Sequence, residues 1–403
     1  MSAEITPEHR IRAELNMLIE PNDLAGGALL SLIGSAECLA MITSGYPPPE
    51  DLQRRCNDLL GLSSTAADTH SLPVALQRWR KRISPGRSDK LLETLRRNGG
   101  GLLIPGDPLW PTQLGDLQLG QPLCLWWRAK RVQRMVQCTL DRCVSIVGSR
   151  DCSDYGQRVT QDFAEHLYRA GNTIVSGGAY GVDATAHRAA LNSAAVDKKN
   201  LPTIAILAGG IDRLYPAGNS SLLTQVIHSG IVLSEVPPGT PPARFRFLNR
   251  NRLIAALSRV TLVTEARYRS GALNTVGHAL DLGRDVAAVP GSVYSAYSAG
   301  THRLIAEGQA QLVSEPRELL GESVLPGTGG TIRRLTDALT LTQRMVYDSL
   351  EVRRALPVSE IAARAGISDG HAMTALRYLG GQSLARQQGA QWCLAPQEHG
   401  PKG

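Results

Sequence analysis

The stretch RFRFLNRNR, residues 244–252, sets four guanidinium groups, two carboxamides and two phenylalanine rings in nine positions. The whole chain has only three phenylalanines, so two rings between arginines suit neither a core strand nor a plain solvated loop. Guanidinium groups fork onto phosphate oxygens, and flat rings stack on unpaired bases at about 1–3 kcal/mol per base. Taken as extended, RFRF puts Phe245 and Phe247 on one face and Arg244 and Arg246 on the other. Arg250, Asn251 and Arg252 then open a helix whose N-terminal end faces the same crevice. The competing reading sends both rings into the core and pairs the arginines with carboxylates.

Four further segments carry phosphate-suited chemistry: VGSRDCSDYG (147–156), SGGAYGVDATAH (176–187), AGGIDRLYP (208–216) and TEARYRSGALNT (264–275). Each follows a short apolar run, and three are Gly-rich and lead into a helical pattern. Backbone N–H groups and the helix dipole then point outward together, which favours an anion. Gly177, Gly178 and Gly181 let a phosphodiester approach the backbone, and Arg150 stands beside them as a fork-shaped donor. Tight turns alone also explain single glycines; their recurrence at several strand ends favours a ligand.

Other chemistries lack their signatures. There is no GxxxxGK[ST], and the first turn reads GSRD rather than GxGxxG, so neither a Walker-type NTPase nor a dinucleotide cofactor is expected. HExxH is absent too, and no Ser sits in a GxSxG nucleophile elbow after a strand. Asp183 and His187 share a helix face at i, i+4, an acid–base spacing, yet an Asp in a first turn is more simply a dipole or capping residue. Glu265 follows a strand and is a lone candidate. The seven cysteines are odd in number and scattered, with no His at ligand spacing, so no metal and no disulfide framework is expected.

Elements must hold these groups in place. The net charge of +7 over 403 residues favours an anionic partner without naming one. No signal peptide is evident in MSAEITPEHR, and no run of eighteen apolar residues occurs, so a cytoplasmic chain without a membrane span is expected. Residues 1–98 read as small helices of a SAM or helix-hairpin-helix type, with HRIRAELNMLI and DLAGGALLSLIGSAECLAMI apolar at three- and four-residue spacing. Residues 99–320 combine a Pro- and Trp-rich lead-in with the runs VSIVG, TIVSGG, TIAILAGG, IVLSEV, VTLVTEA, DVAAVPG and QLVS. Continuous apolar runs alternating with helical stretches predict an α/β fold, a doubly wound, mostly parallel, Rossmann-like sheet. Residues 321–334, including LPGTG at 325–329, read as a linker. Residues 335–403 read as a winged helix with DGHAMTALRYL in the recognition position.

Taken as a whole, the chain resembles the DprA/Smf family of DNA-processing proteins. The resemblance lies in IVGSR (146–150), IVSGGAYGVDATAHRAAL (174–191), LAGGIDRLYPAGN (207–219), SEVPPGTPP (234–242), NRNRLIAALS (249–258), the segment 265–292 and AGTHRLIAEG (299–308). It implies a non-catalytic, homodimeric Rossmann-like domain that binds single-stranded DNA in a basic pocket and loads the recombinase RecA in transformation and recombination. Carried over, the pocket comprises Arg150, Gly177, Gly178, Phe247, Arg250, Asn251 and Arg252, with Ser270 and Gly271 in a matching strand-end loop. Asn249 and His302 depart from the family pattern, which commonly has a basic residue and an Asn there. Two alternatives stay open. One is an enzyme on nucleoside monophosphates, of the lysine-decarboxylase-like group, whose PGGxGTxxE signature is missing. The other is a duplex-binding regulator using His371 and Arg377 of the winged helix.

Overall fold

The computed structural model describes residues 5–62, 71–84, 87–196, 200–320, 339–352, 354–382 and 384–395. The chain divides into two compact units, Met1–Ser323 and Val324–Gly403. The first opens with helices α1 (Pro7–Leu18), α2 (Leu24–Thr43), α3 (Glu50–Leu60), α4 (Leu72–Arg80) and α5 (Arg87–Arg97). Thr6 caps α1 in a capping box with His9. Among the described helices α2 alone is long and apolar enough to cross a bilayer by length and composition. It breaks at Gly34 (φ 78°), and its Ala25, Ala28, Leu29, Cys38 and Ile42 pack with Leu15, Leu76 and Trp79 into the core of the helical segment.

Strands β1 (Gly100–Leu103) and β2 (Leu125–Arg128) follow as an antiparallel pair. The expected apolar runs then each form a strand: β3 (Cys143–Val147), β4 (Thr173–Ser176), β5 (Thr203–Leu207), β6 (Ile231–Ser234), β7 (Val260–Val263), β8 (Asp285–Ala288) and β9 (Gln311–Leu312). Between them lie α6 (Asp154–Arg169), α7 (Val182–Val196), α8 (Ser220–Ser229), α9 (Arg244–Ala256), α10 (Ala272–Asp281) and α11 (Ala299–Ala306). Among the described residues the sheet has nine strands in the order β1-β2-β6-β5-β4-β3-β7-β8-β9. β3 to β9 run parallel, and β2 joins β6 antiparallel. Every residue of β3, β4, β5, β6 and β7 is buried, as expected for strands covered on both faces. The fold is the doubly wound, Rossmann-like α/β architecture. The helical segment is tied to the sheet: Trp126 donates from Nε1 to Asn16 Oδ1 (2.8 Å), and Asn16 Nδ2 donates to the Glu235 carbonyl (2.9 Å).

One local expectation fails. RFRF is helical, not extended. The Pro-rich segment ends at Ala243 in a β conformation (φ −135°, ψ 153°), and helix α9 starts on the next residue. The amides of Arg246 and Phe247 donate to the Ala243 carbonyl, and the run of Arg, Phe, Leu and Asn contains no β-branched residue to oppose the turn. At 100° per residue, positions two apart diverge, so the two rings leave on different faces. Phe245 is 49% exposed, while Phe247 is half-buried.

The second unit contains α12 (Leu341–Asp348), β10 (Leu356–Pro357), α13 (Val358–Ala365), α14 (Asp369–Gly381), β11 (Ala385–Gln388) and β12 (Gln391–Leu394). α13 stops on Gly366 in the left-handed region (φ 67°). The described strands form an antiparallel sheet, β10-β12-β11, and Val346, Ile361, Leu376, Leu379 and Trp392 build the core. The expected linker at 321–334, with its LPGTG, lies outside the described residues.

Candidate nucleic-acid interface

The chain runs from β3 outward through β4 and β5 to β6, then returns along α9 to β7 and continues to β8 and β9 on the other side. The connections of β3 and β7 therefore diverge, and a crevice opens beyond their carboxyl ends. Glu265 fixes its rim. Its carbonyl accepts from Ser149 N (2.8 Å), and its buried carboxylate accepts from Ser153 N (2.8 Å) and Ser153 Oγ (2.6 Å). Ser153 in turn caps α6, its Oγ accepting from Gly156 N (3.1 Å). Glu265 thus braces the loop that carries Arg150.

From that loop Arg150 reaches over the ring of Phe247, with Cζ 5.3 Å from the centroid. The Tyr215 ring lies 5.8 Å from that of Phe247, tilted by 55°. Around them opens a cleft with about 480 Å³ of space, lined by Arg150, Gly177, Tyr180, Gly209, Arg213, Tyr215, Pro242 and Phe247 among others. A second cleft shares Arg150, Ala179 and Phe247 and adds Asp183, Arg250, Asn251, Gly271 and Thr275. Phe247 is the wall between the two.

Beneath the clefts sits a buried ionic floor. Arg250 donates from Nη1 to the Ile206 carbonyl (2.8 Å), and its Nε has no hydrogen-bond partner among the described residues. Burial, and secondarily the Arg150 charge, lowers its pKa to about 10, although Asp183 opposes the shift. Burial likewise raises the Asp183 carboxyl above its ordinary range, against the nearby Arg250 charge and the bond it accepts from Ala179 N (3.2 Å). His187 lies below. Its Nδ1 is 2.6 Å from Thr203 Oγ1, whose single hydrogen goes to the Ile174 carbonyl. Nδ1 must therefore carry the ring's hydrogen, leaving Nε2 bare and unpartnered among the described residues. Burial, with the charges of Arg250 and Arg188, pushes the His187 pKa down to about 3. The His187 member of the i, i+4 pair is thus a neutral ring under a cation. Among the described residues no three His, Cys, Asp or Glu side chains cluster as a metal site.

The structure distributes the sequence-predicted residues unevenly. Arg150, Gly177 and Phe247 line the first cleft, and Arg150, Phe247, Arg250, Asn251 and Gly271 the second. A Cβ on Gly177 would overlap the Arg250 guanidinium, so only glycine leaves the arginine its seat. Gly178, at φ 71°, lies against Leu223 instead of lining either cleft. Arg244 and Phe245 project from the start of α9, and Ser270 accepts from Ala272 N (3.3 Å) outside both clefts. Two of the predicted arginines, Arg246 and Arg252, do not reach either cleft. Arg246 is bound to Glu20, Nη2 to Oε1 at 2.8 Å. Arg252, 2% exposed, donates from Nη1 and Nη2 to the two Glu235 oxygens (2.8 and 2.6 Å), from Nη2 to the Gly120 carbonyl (2.9 Å) and from Nε to Asn22 Oδ1 (3.2 Å). It faces the helical segment. Sequence reasoning missed Tyr180, Arg213 and Tyr215. The signal was present, since both tyrosines stand in Gly- or Pro-bearing turns where a ring has little core to enter.

A Rossmann-like domain whose strand-end crevice joins guanidinium groups to exposed rings, without a nucleotide fingerprint, is defined by these observations. Residues 101–323 match the family described as DNA recombination-mediator protein A, and the chain belongs to this DprA/Smf family. A Mycobacterium tuberculosis relative bearing the name DNA processing protein DprA is 35% identical, over 96% of this chain and 95% of its own length. Protein Smf of Escherichia coli is 38% identical over 55% of this chain and 56% of its own. The X-ray structure of DprA from Streptococcus pneumoniae superposes with a TM-score of 0.59 at 28% identity, covering 80% of this chain and 99% of that one. The family is one of DNA-processing recombination mediators.

Proposed function

We propose that this chain binds single-stranded DNA in the paired clefts and, as a recombination mediator, loads RecA onto the strand. The observation that carries the reading is Phe247: a half-buried ring between two clefts, with Arg150 over it, Tyr215 beside it and the buried Arg250 below. A base reaches such a wall only when its faces are free, so an unpaired strand fits and a stacked duplex does not. Phosphates meet Arg150, Arg213 and the strand-end amides, and the unpartnered Arg250 Nε offers a charge-assisted bond from the floor. Glu265 and His187 are already engaged in holding loops and strands, which favours a binding site over a catalytic one. RecA loading and a homodimer through the Rossmann-like domain follow from family membership, with residues 339–395 as a winged-helix appendage. All seven cysteines are free thiols, in keeping with a reducing cytoplasm.

The test is affinity for oligothymidylate against duplex of equal length across a salt series. Single-strand preference is expected, with a slope that becomes shallower by about 0.7 for each phosphate that Arg150→Ala no longer neutralises. Duplex preference, or an unchanged slope in Arg150→Ala, overturns the reading.

A further inference from the structure

The turn between α1 and α2 lies along the side of α9 that faces away from the clefts. The Pro21 carbonyl accepts from Asn249 Nδ2 (3.2 Å), and Asn22 Oδ1 accepts from Arg252 Nε (3.2 Å). At the head of this row, Glu20 receives two guanidinium groups. Arg246 donates from Nη2 (2.8 Å) and Nε (3.3 Å), and Arg82 Nη2 stands at 3.1 Å. Two cations on one carboxylate leave an uncompensated positive charge. The three side chains border an open, polar cleft of about 680 Å³, with Asn16 and Thr240 on its walls. Arg246 directly precedes Phe247 in the first turn of α9, and the exposed Arg244 stands two positions before it.

We infer that the Arg82–Arg246 pair is a phosphodiester subsite for the strand beyond the Phe247 cleft, and that Glu20 occupies it as an internal competitor. A carboxylate and a phosphodiester present the same feature to a guanidinium fork, two oxygens in a plane. Glu20 is a quarter exposed, so it can turn to solvent when a phosphate arrives, and the open cleft gives both groups room. The helical segment thereby holds down the affinity of the full chain for long strands while leaving the Phe247 clefts unaffected. The inference rests on the single-strand reading above, and the test separates the two.

The full-length chain and its variants are titrated with a short oligothymidylate that fills only the Phe247 clefts and with a long one that runs past Arg244. Glu20→Gln is expected to bind the long strand about three- to tenfold more tightly, with a salt slope steeper by about 0.7, and to bind the short strand as wild type does. Arg82→Ala added to Glu20→Gln should abolish the gain. Should Glu20→Gln fail to fold, Arg82→Ala alone carries the test, with a loss of about twofold or more expected for the long strand only. Equal long-strand affinity in Glu20→Gln and wild type, a gain that extends to the short strand, or no loss in Arg82→Ala overturns the subsite. Arg150→Ala is the separate control: it weakens both lengths if the clefts bind the strand, and if it weakens neither, the cleft reading itself falls.

Discussion

Removing the guanidinium of Arg252 should cost stability rather than ligand affinity. The side chain is almost wholly buried, and both Glu235 oxygens, the Asn22 carboxamide and the Gly120 carbonyl receive its hydrogens. In Arg252→Met the Glu235 carboxylate stays buried without its counter-charge, and breaking such a pair from one side costs about 3–5 kcal/mol. That is a large share of the roughly 5–15 kcal/mol that holds a domain folded. With a urea slope of ~3 kcal/mol/M, the midpoint should drop by about 1–1.7 M. Replacing both partners, Arg252→Met with Glu235→Leu, removes the stranded charge and should recover about half of the loss or more. Urea melts read by tryptophan fluorescence report on the right place, because Trp126 and Trp127 pair with the strand that ends beside Glu235. Oligothymidylate affinity is measured in parallel under folding conditions. If Arg252→Met keeps its midpoint within about 0.3 M of wild type yet loses the oligonucleotide, Arg252 touches the ligand and the reasoning fails.

Gly177→Ala should expel the Arg250 guanidinium from its seat under the clefts and lower oligothymidylate affinity about tenfold, the effect of one charge-assisted hydrogen bond; wild-type affinity would show that Arg250 does not serve the strand. His187 stays neutral in the fold down to about pH 3 while the unfolded ring charges near 6.5. It thus contributes stability above pH 6.5 that is lost, at up to about 1.4 kcal/mol per pH unit, as pH falls through that interval. The raised Asp183 carboxyl acts in the opposite sense, losing stability as pH rises through its own window. His187→Gln should therefore flatten the acid side of the stability profile, and an unchanged slope in urea midpoints between about pH 7 and 4 would contradict this. Deleting the second unit from Val324 onward should leave short-strand affinity within about twofold, since both clefts lie wholly in the first unit; a larger loss would place part of the site in the second.

The strands were legible because Val- and Ile-rich runs such as TIAIL and VTLV fit one environment, a sheet covered on both faces. RFRF was not, because four alternating residues satisfy a strand and the first turn of a helix equally, and only the Ala243 terminus decides between them. The clefts were half visible. Gly177, Arg150 and Phe247 belong to segments whose composition points to phosphate and ring binding, so their types carried the message. The fates of Arg246 and Arg252 did not show, because their acids sit 226 and 17 positions away and nothing in a local window links them. The Asn249 departure acquires a physical meaning in the same way: its carboxamide donates to the Pro21 carbonyl, so this position serves the docking of the helical segment.

Helix α9 answers to two masters. Its Phe247, Arg250 and Asn251 look into the crevice, while Arg246, Asn249 and Arg252 are gripped from behind by the α1–α2 turn and Glu235. A rod seized on both flanks cannot roll without dragging one set of grips across the other. The amino-terminal turn and the crevice therefore share one element, and removing the helical segment would free the rear flank of the helix that carries Phe247.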